Sequence, residues 1–153
     1  MSTLVAFTES LPVASSHQAA PGHKAALLRD AVTPTATLVA DDYCEVTARH
    51  SCGLYVDFAD VDAPLTVALE VSPDKTNWYS LMEDDPDVAG ESIPWQRVLT
   101  PNDIDTSSTP WTGGAMFPVA LAAGINFIRT KTKRNSGSDT GTVSVMLVAG
   151  VTI

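Results

Sequence analysis

Between Leu65 and Val71 the chain alternates: Leu65, Val67, Leu69 and Val71 fall on one face, Thr66, Ala68 and Glu70 on the other. A period of two is the mark of a strand with one buried face. The same alternation recurs in short runs. Cys44, Val46 and Ala48 oppose Tyr43, Glu45 and Thr47, and Leu54, Val56 and Phe58 oppose Tyr55 and Asp57. Ten prolines and nine glycines interrupt these runs. That punctuation leaves room for many strands and turns and little for long helices.

Further strands are expected at Trp78–Met82, Gln96–Leu99, Met116–Val119, Ile125–Thr132 and Thr142–Ala149. The polar run Ser72-Pro73-Asp74-Lys75-Thr76-Asn77 reads as a turn, because proline pre-sets φ and Asp and Asn bond nearby backbone. Two hairpins are expected, one around Arg49–Gly53 and a long one from Ile125 to Ala149 around Asn135–Gly141. Pro86, Pro94, Pro101 and Pro110 break up Glu83–Pro110, which reads as a folded-over loop region.

Residues 1–35 lack a sustained period and read as an extended N-terminal arm, with Leu4, Val5 and Phe7 apolar and at most a helical turn or two at Ala25–Ala31. Residues 36–153 then form one domain, a size that buries a core without staples. The expected fold is all-β: a two-sheet antiparallel β-sandwich, jelly-roll or immunoglobulin-like.

The formal charge of −9 opposes direct nucleic-acid binding. The opening residues carry no basic and apolar export signal, and no apolar run spans a bilayer, so no membrane association is expected. Cys44 and Cys52 are too few for a disulfide framework and read as two small buried thiols or as a facultative disulfide.

Chemical motifs are sparse. His17 and His23 fall in the arm and His50 at a turn, and no Gly-x-Ser-x-Gly elbow occurs, so no catalytic residues and no enzyme activity are expected. Cys44, His50 and Cys52 lack the close Cys pairs of a zinc site, and the acidic groups Asp57, Asp60, Asp62 and Glu83–Glu91 lack calcium-loop spacing. No metal or other cofactor is expected. Four of the nine basic residues fall within Arg129–Arg134. On a strand, Arg129, Lys131 and Lys133 share a face, either protecting an edge strand or docking with Arg134 onto an acidic partner. Trp78 reads as core. Trp95 and Trp111 follow prolines in the irregular region, and are either exposed anchors or a small satellite core.

The strand-turn-strand text Leu65–Trp78, followed by Ile125-Asn126-Phe127-Ile128-Arg129-Thr130-Lys131 and Gly141-Thr142-Val143-Ser144-Val145, resembles small β-sandwich structural proteins of tailed bacteriophages. These include capsid decoration or cement proteins and related head and tail modules. The resemblance implies a virion protein, assembled in the host cytoplasm, that binds the major capsid protein as a homo-oligomer, trimer or dimer, and bridges capsid subunits. The alternative it leaves open is a tail or head-fibre adhesion module for a carbohydrate or receptor. The virion reading puts the interface on Leu4, Val5 and Phe7 of the arm, lying across an adjacent subunit, and on the basic ridge Arg129, Lys131, Lys133 and Arg134; the adhesion reading puts it instead on an exposed platform of Trp95 and Trp111.

Overall fold

The computed structural model describes residues 3–6, 23–46, 51–99, 111–136 and 140–150. They form eleven strands: β1 (His23–Val32), β2 (Val39–Glu45), β3 (Ser51–Val61), β4 (Leu65–Ser72), β5 (Tyr79–Ser80), β6 (Met82–Asp84), β7 (Ser92–Pro94), β8 (Gln96–Leu99), β9 (Trp111–Ala120), β10 (Phe127–Arg134) and β11 (Thr142–Gly150). One sheet runs β1-β11-β3-β9 and the other β2-β10-β4-β5, with β8 also on β4 and β6-β7 as a separate hairpin. All the strand pairs are antiparallel. The all-β sandwich expected from the alternation is the fold observed.

The core lies between the sheets. Leu54, Val56 and Phe58 of β3 and Val143, Val145 and Leu147 of β11 meet Leu65, Val67 and Leu69 of β4 and Ile128 of β10, all buried. Each set is the inward half of an alternating strand, so the sequence pattern becomes the core directly.

The pairing departs from expectation in four places. His23–Val32, read as arm with a helical turn, is a full edge strand paired along β11, and Ala26 and Leu28 enter the core. The sandwich therefore begins by residue 23, not 36. The two expected hairpins are absent: β2 and β3 lie in different sheets, as do β10 and β11. Alternation specifies which residues face inward, but a sandwich has two inward faces of the same composition, and the pattern does not say which sheet a strand joins. The described part of the region read as a folded loop, 83–99, also forms strands. After Leu81, whose N–H donates to the Leu69 carbonyl at 3.0 Å, the chain leaves β4 as the β6-β7 hairpin. It returns at Trp95, whose N–H donates to the Leu81 carbonyl at 2.7 Å.

The sheets are also joined by charge. Arg29 of β1 and Asp41 of β2 form a buried ion pair, Nη1 to Oδ1 at 2.9 Å. The hydroxyls of Thr130 and Thr132 donate to Asp41 Oδ2 at 2.7 and 2.9 Å, and Arg29 Nη2 donates to the Val32 and Thr33 carbonyls at 3.0 Å each. Only Arg29 Nε, among the described buried side-chain atoms, has no partner. Burial pushes the Asp41 carboxyl above its ordinary value, and the hydroxyls and the guanidinium pull it back only in part.

At the entrance to β11, Gly141 adopts φ 71° with the Ala59 carbonyl where a Cβ would stand. Only glycine fits that approach.

Candidate functional site

β10 places Ile128, Thr130 and Thr132 inward, so Phe127, Arg129, Lys131 and Lys133 share the outer face of their sheet, as the alternation predicted. The strand is not an edge: it lies between β2 and β4. Edge protection therefore does not explain its charges. Nor is the ridge a row of unneutralised cations. Arg129 Nε donates to Glu70 Oε1 at 2.8 Å from the facing position on β4, and Lys131 Nζ lies 3.9 Å from Glu70 Oε2.

On the other side of Arg129, its register partner on β2 is Tyr43. The guanidinium lies 4.2 Å from the centre of the Trp78 ring, and Tyr43 meets Trp78 and Phe127 edge-on at 5.5 and 6.0 Å. Lys75 Nζ is 5.7 Å from the Phe127 ring centre. All of these side chains except exposed Lys75 are half-buried. The outer face thus carries three aromatic rings gathered around one arginine, with a carboxylate at its rim. Each contact is modest, about 0.5–1 kcal/mol for a cation over an exposed ring and about 0.2–1 kcal/mol for a surface ion pair. Together they hold the rings in one arrangement on the outer face of the sheet.

The N-terminal segment borders this cluster. Leu4 makes a parallel bridge to Tyr43, the Val5 N–H donates to the Tyr43 carbonyl at 2.6 Å, and the Tyr43 N–H donates to the Thr3 carbonyl at 2.8 Å. Thr3 N–H also donates to Asp42 Oδ1 at 2.9 Å. Leu4 is 49% exposed, whereas Val5 packs on the core. These residues sit along β2 of the chain's own sheet. Phe7 lies outside the described residues.

Of the two alternatives left open for Trp95 and Trp111, exposed anchors or a satellite core, burial holds, but in the main core. Trp95 and Trp111 are 4% and 7% exposed and belong to the main core. Trp95 packs edge-on against Phe117 at 5.9 Å with the Arg97 guanidinium 4.4 Å above it. Trp78, read as core, is the exposed-face residue. It follows a turn, but its burial depends on which strand lies alongside, and that pairing is non-local. Arg134 ends the strand, its N–H donating to the Thr35 carbonyl at 2.8 Å. Cys44 and Cys52 are both buried and are not joined in a disulfide.

The turn that delivers Trp78 is built on Asp74. Its Oδ1 accepts the N–H groups of Thr76 and Asn77 at 2.9 and 2.8 Å, and Oδ2 accepts Asn77 Nδ2 at 2.6 Å. These donors hold the Asp74 carboxyl far below its ordinary value of 3.8. Because the folded value is depressed, the stabilisation is present above the unfolded value and is lost as pH falls below it. Asp74→Asn is expected to lower the melting temperature at pH 7. The two proteins should converge as the pH is taken below about 4, a trend that paired thermal melts across pH measure.

No family model matches the sequence, and no curated protein does. Among solved structures the chain is similar to the K3 cleaved adhesin domain of Lys-gingipain from Porphyromonas gingivalis W83. The identity is 11%, the TM-score 0.42, and the match covers 95% of this chain and 86% of that one.

Proposed function

We propose that this chain is a non-catalytic structural protein of a tailed-phage particle, a decoration or cement protein that binds the outside of the head and bridges subunits of the major capsid protein. The observation that carries the binding part is the outer face of the β2-β10-β4 sheet, where Tyr43, Trp78 and Phe127 are fixed around Arg129 beside the Thr3–Val5 segment. Aromatic residues and arginine are the side chains enriched at the centres of protein interfaces. The particle part rests on the resemblance of the Leu65–Trp78 hairpin text and the two late strands to phage sandwich proteins.

Many copies on one particle turn weak contacts into firm attachment, because each further contact forms at high effective concentration. A face of modest pairwise contacts suits that use. The same three rings favour one other reading, an adhesion module of a tail or head fibre in which they meet a sugar ring or receptor.

The test is to add the purified chain to expanded heads that lack it. Saturable retention with raised heat resistance of the heads supports the cement reading. A chain that ignores heads but binds glycans, with a change in Trp78 fluorescence, supports the adhesion reading instead.

A further inference from the structure

We infer that the free edge of β9 is a self-association surface, on which a second copy of this chain adds its own β9 in antiparallel register. β9 pairs with β3 on one side, and among the described residues no strand pairs with the other. Its ten residues, WTGGAMFPVA, contain no charged side chain, in a chain of net charge −9.

An open edge of that length invites another strand unless something blunts it. The other long edges are blunted by charge, whereas β9 carries only Pro118 on its open side. β1 carries Arg29 and Asp30, two register shifts and a positive φ at Ala31. β2 carries Asp41, Asp42 and Glu45 and is bordered by Thr3–Val5.

Pro118 fixes which groups the β9 edge offers. In an antiparallel ladder alternate residues turn both N–H and C=O towards one neighbour. A proline is tolerated where its nitrogen points off the ladder. Pro118 faces Gly53 of β3 in an unbroken register that also contains Gly114 and Met116. Gly114 and Met116 therefore direct their N–H and C=O groups outward with the same parity as Pro118. A two-fold register centred on Ala115 pairs Gly114 of each copy with Met116 of the other, both of which have an N–H, and sets Pro118, which has none, opposite Thr112 at the two ends of the ladder.

The side chains suit that pairing. Met116 is 54% exposed, and Ala115 and Phe117 are only partly buried against the core, so an added strand covers apolar surface on both faces of the sheet. Neutrality favours a neutral strand as occupant, and the two-fold register makes this strand its own complement. One strand pair lies below the about 1,200 Å² of stable complexes, so association is expected in the micromolar range. Screening the repulsion between two acidic bodies strengthens it as salt is added.

The experiment is sedimentation equilibrium of the full chain from about 1 µM to about 1 mM at low and high salt, for wild type and Met116→Lys, with circular dichroism to show that both are folded. A second variant, Ala115→Cys, is oxidised and run on a non-reducing gel. The expected results are a salt-strengthened dimer, at least about tenfold weaker association for Met116→Lys, and a cross-linked Ala115→Cys dimer. A chain that stays monomeric throughout overturns the inference. So does a dimer indifferent to Met116→Lys that gives no cross-link, since it forms through another face. The inference does not rest on the particle: a β9 dimer that ignores phage heads would sink the proposed function and leave this edge assignment standing.

Discussion

Replacing Asp41 with alanine is expected to cost about 3–5 kcal/mol of stability, because it leaves the Arg29 guanidinium buried without its carboxylate. The pair sits between β1 and β2, one strand from each sheet, and the hydroxyls of Thr130 and Thr132 complete the carboxylate's coordination. Removing one partner is worse than removing both. Arg29→Met combined with Asp41→Leu is expected to recover part of the loss, since it removes the unpaired buried charge but leaves the Thr130 and Thr132 hydroxyls without their acceptor. Urea titrations of the two single variants and the double variant measure the coupling directly. The pH response of this site opposes that of Asp74. Asp41 binds its proton more tightly folded than unfolded, so its share of stability falls as pH rises through the folded value.

Trp95→Ala is expected to lose about 3–5 kcal/mol, or about 6–20 °C in melting temperature. Its ring is 4% exposed, wedged between the Phe117 ring and the Arg97 guanidinium, and Arg97 is itself held by Glu83 Oε1 and Oε2 at 2.6 and 2.9 Å. Truncation leaves a cavity where the β6-β7 excursion rejoins β4. Trp78→Ala, on the outer face, removes half-exposed surface and is expected to cost about 1 kcal/mol. Thermal melts of the two variants check the contrast, and equal losses would place Trp78 in the core after all.

That contrast marks where the sequence stops being legible. Strand positions and inward faces were readable because period two is a local property, and Leu65, Val67 and Leu69 are buried as their spacing requires. The shared face of Arg129, Lys131 and Lys133 was readable for the same reason. Which strands stand side by side was not. The cluster of Tyr43, Trp78, Phe127 and Arg129 exists only because β2 lies against β10, and nothing within either segment encodes that neighbour. The first strand was missed because His23–Val32 has apolar residues at consecutive positions, and its register shifts against β11 erase the alternation. Prolines near Trp95 and Trp111 suggested loops, whereas Pro94 only ends a short hairpin strand and leaves Trp95 free to turn inward.

The outer face around Arg129 is the centre of the functional account, and the most direct test is retention on phage heads of the wild type against the double variant Trp78→Ala with Arg129→Ala. The account predicts that the wild type saturates its sites and that the folded variant binds at least about tenfold more weakly. Equal retention of the two proteins, or heads that fail to retain even the wild type, would contradict it.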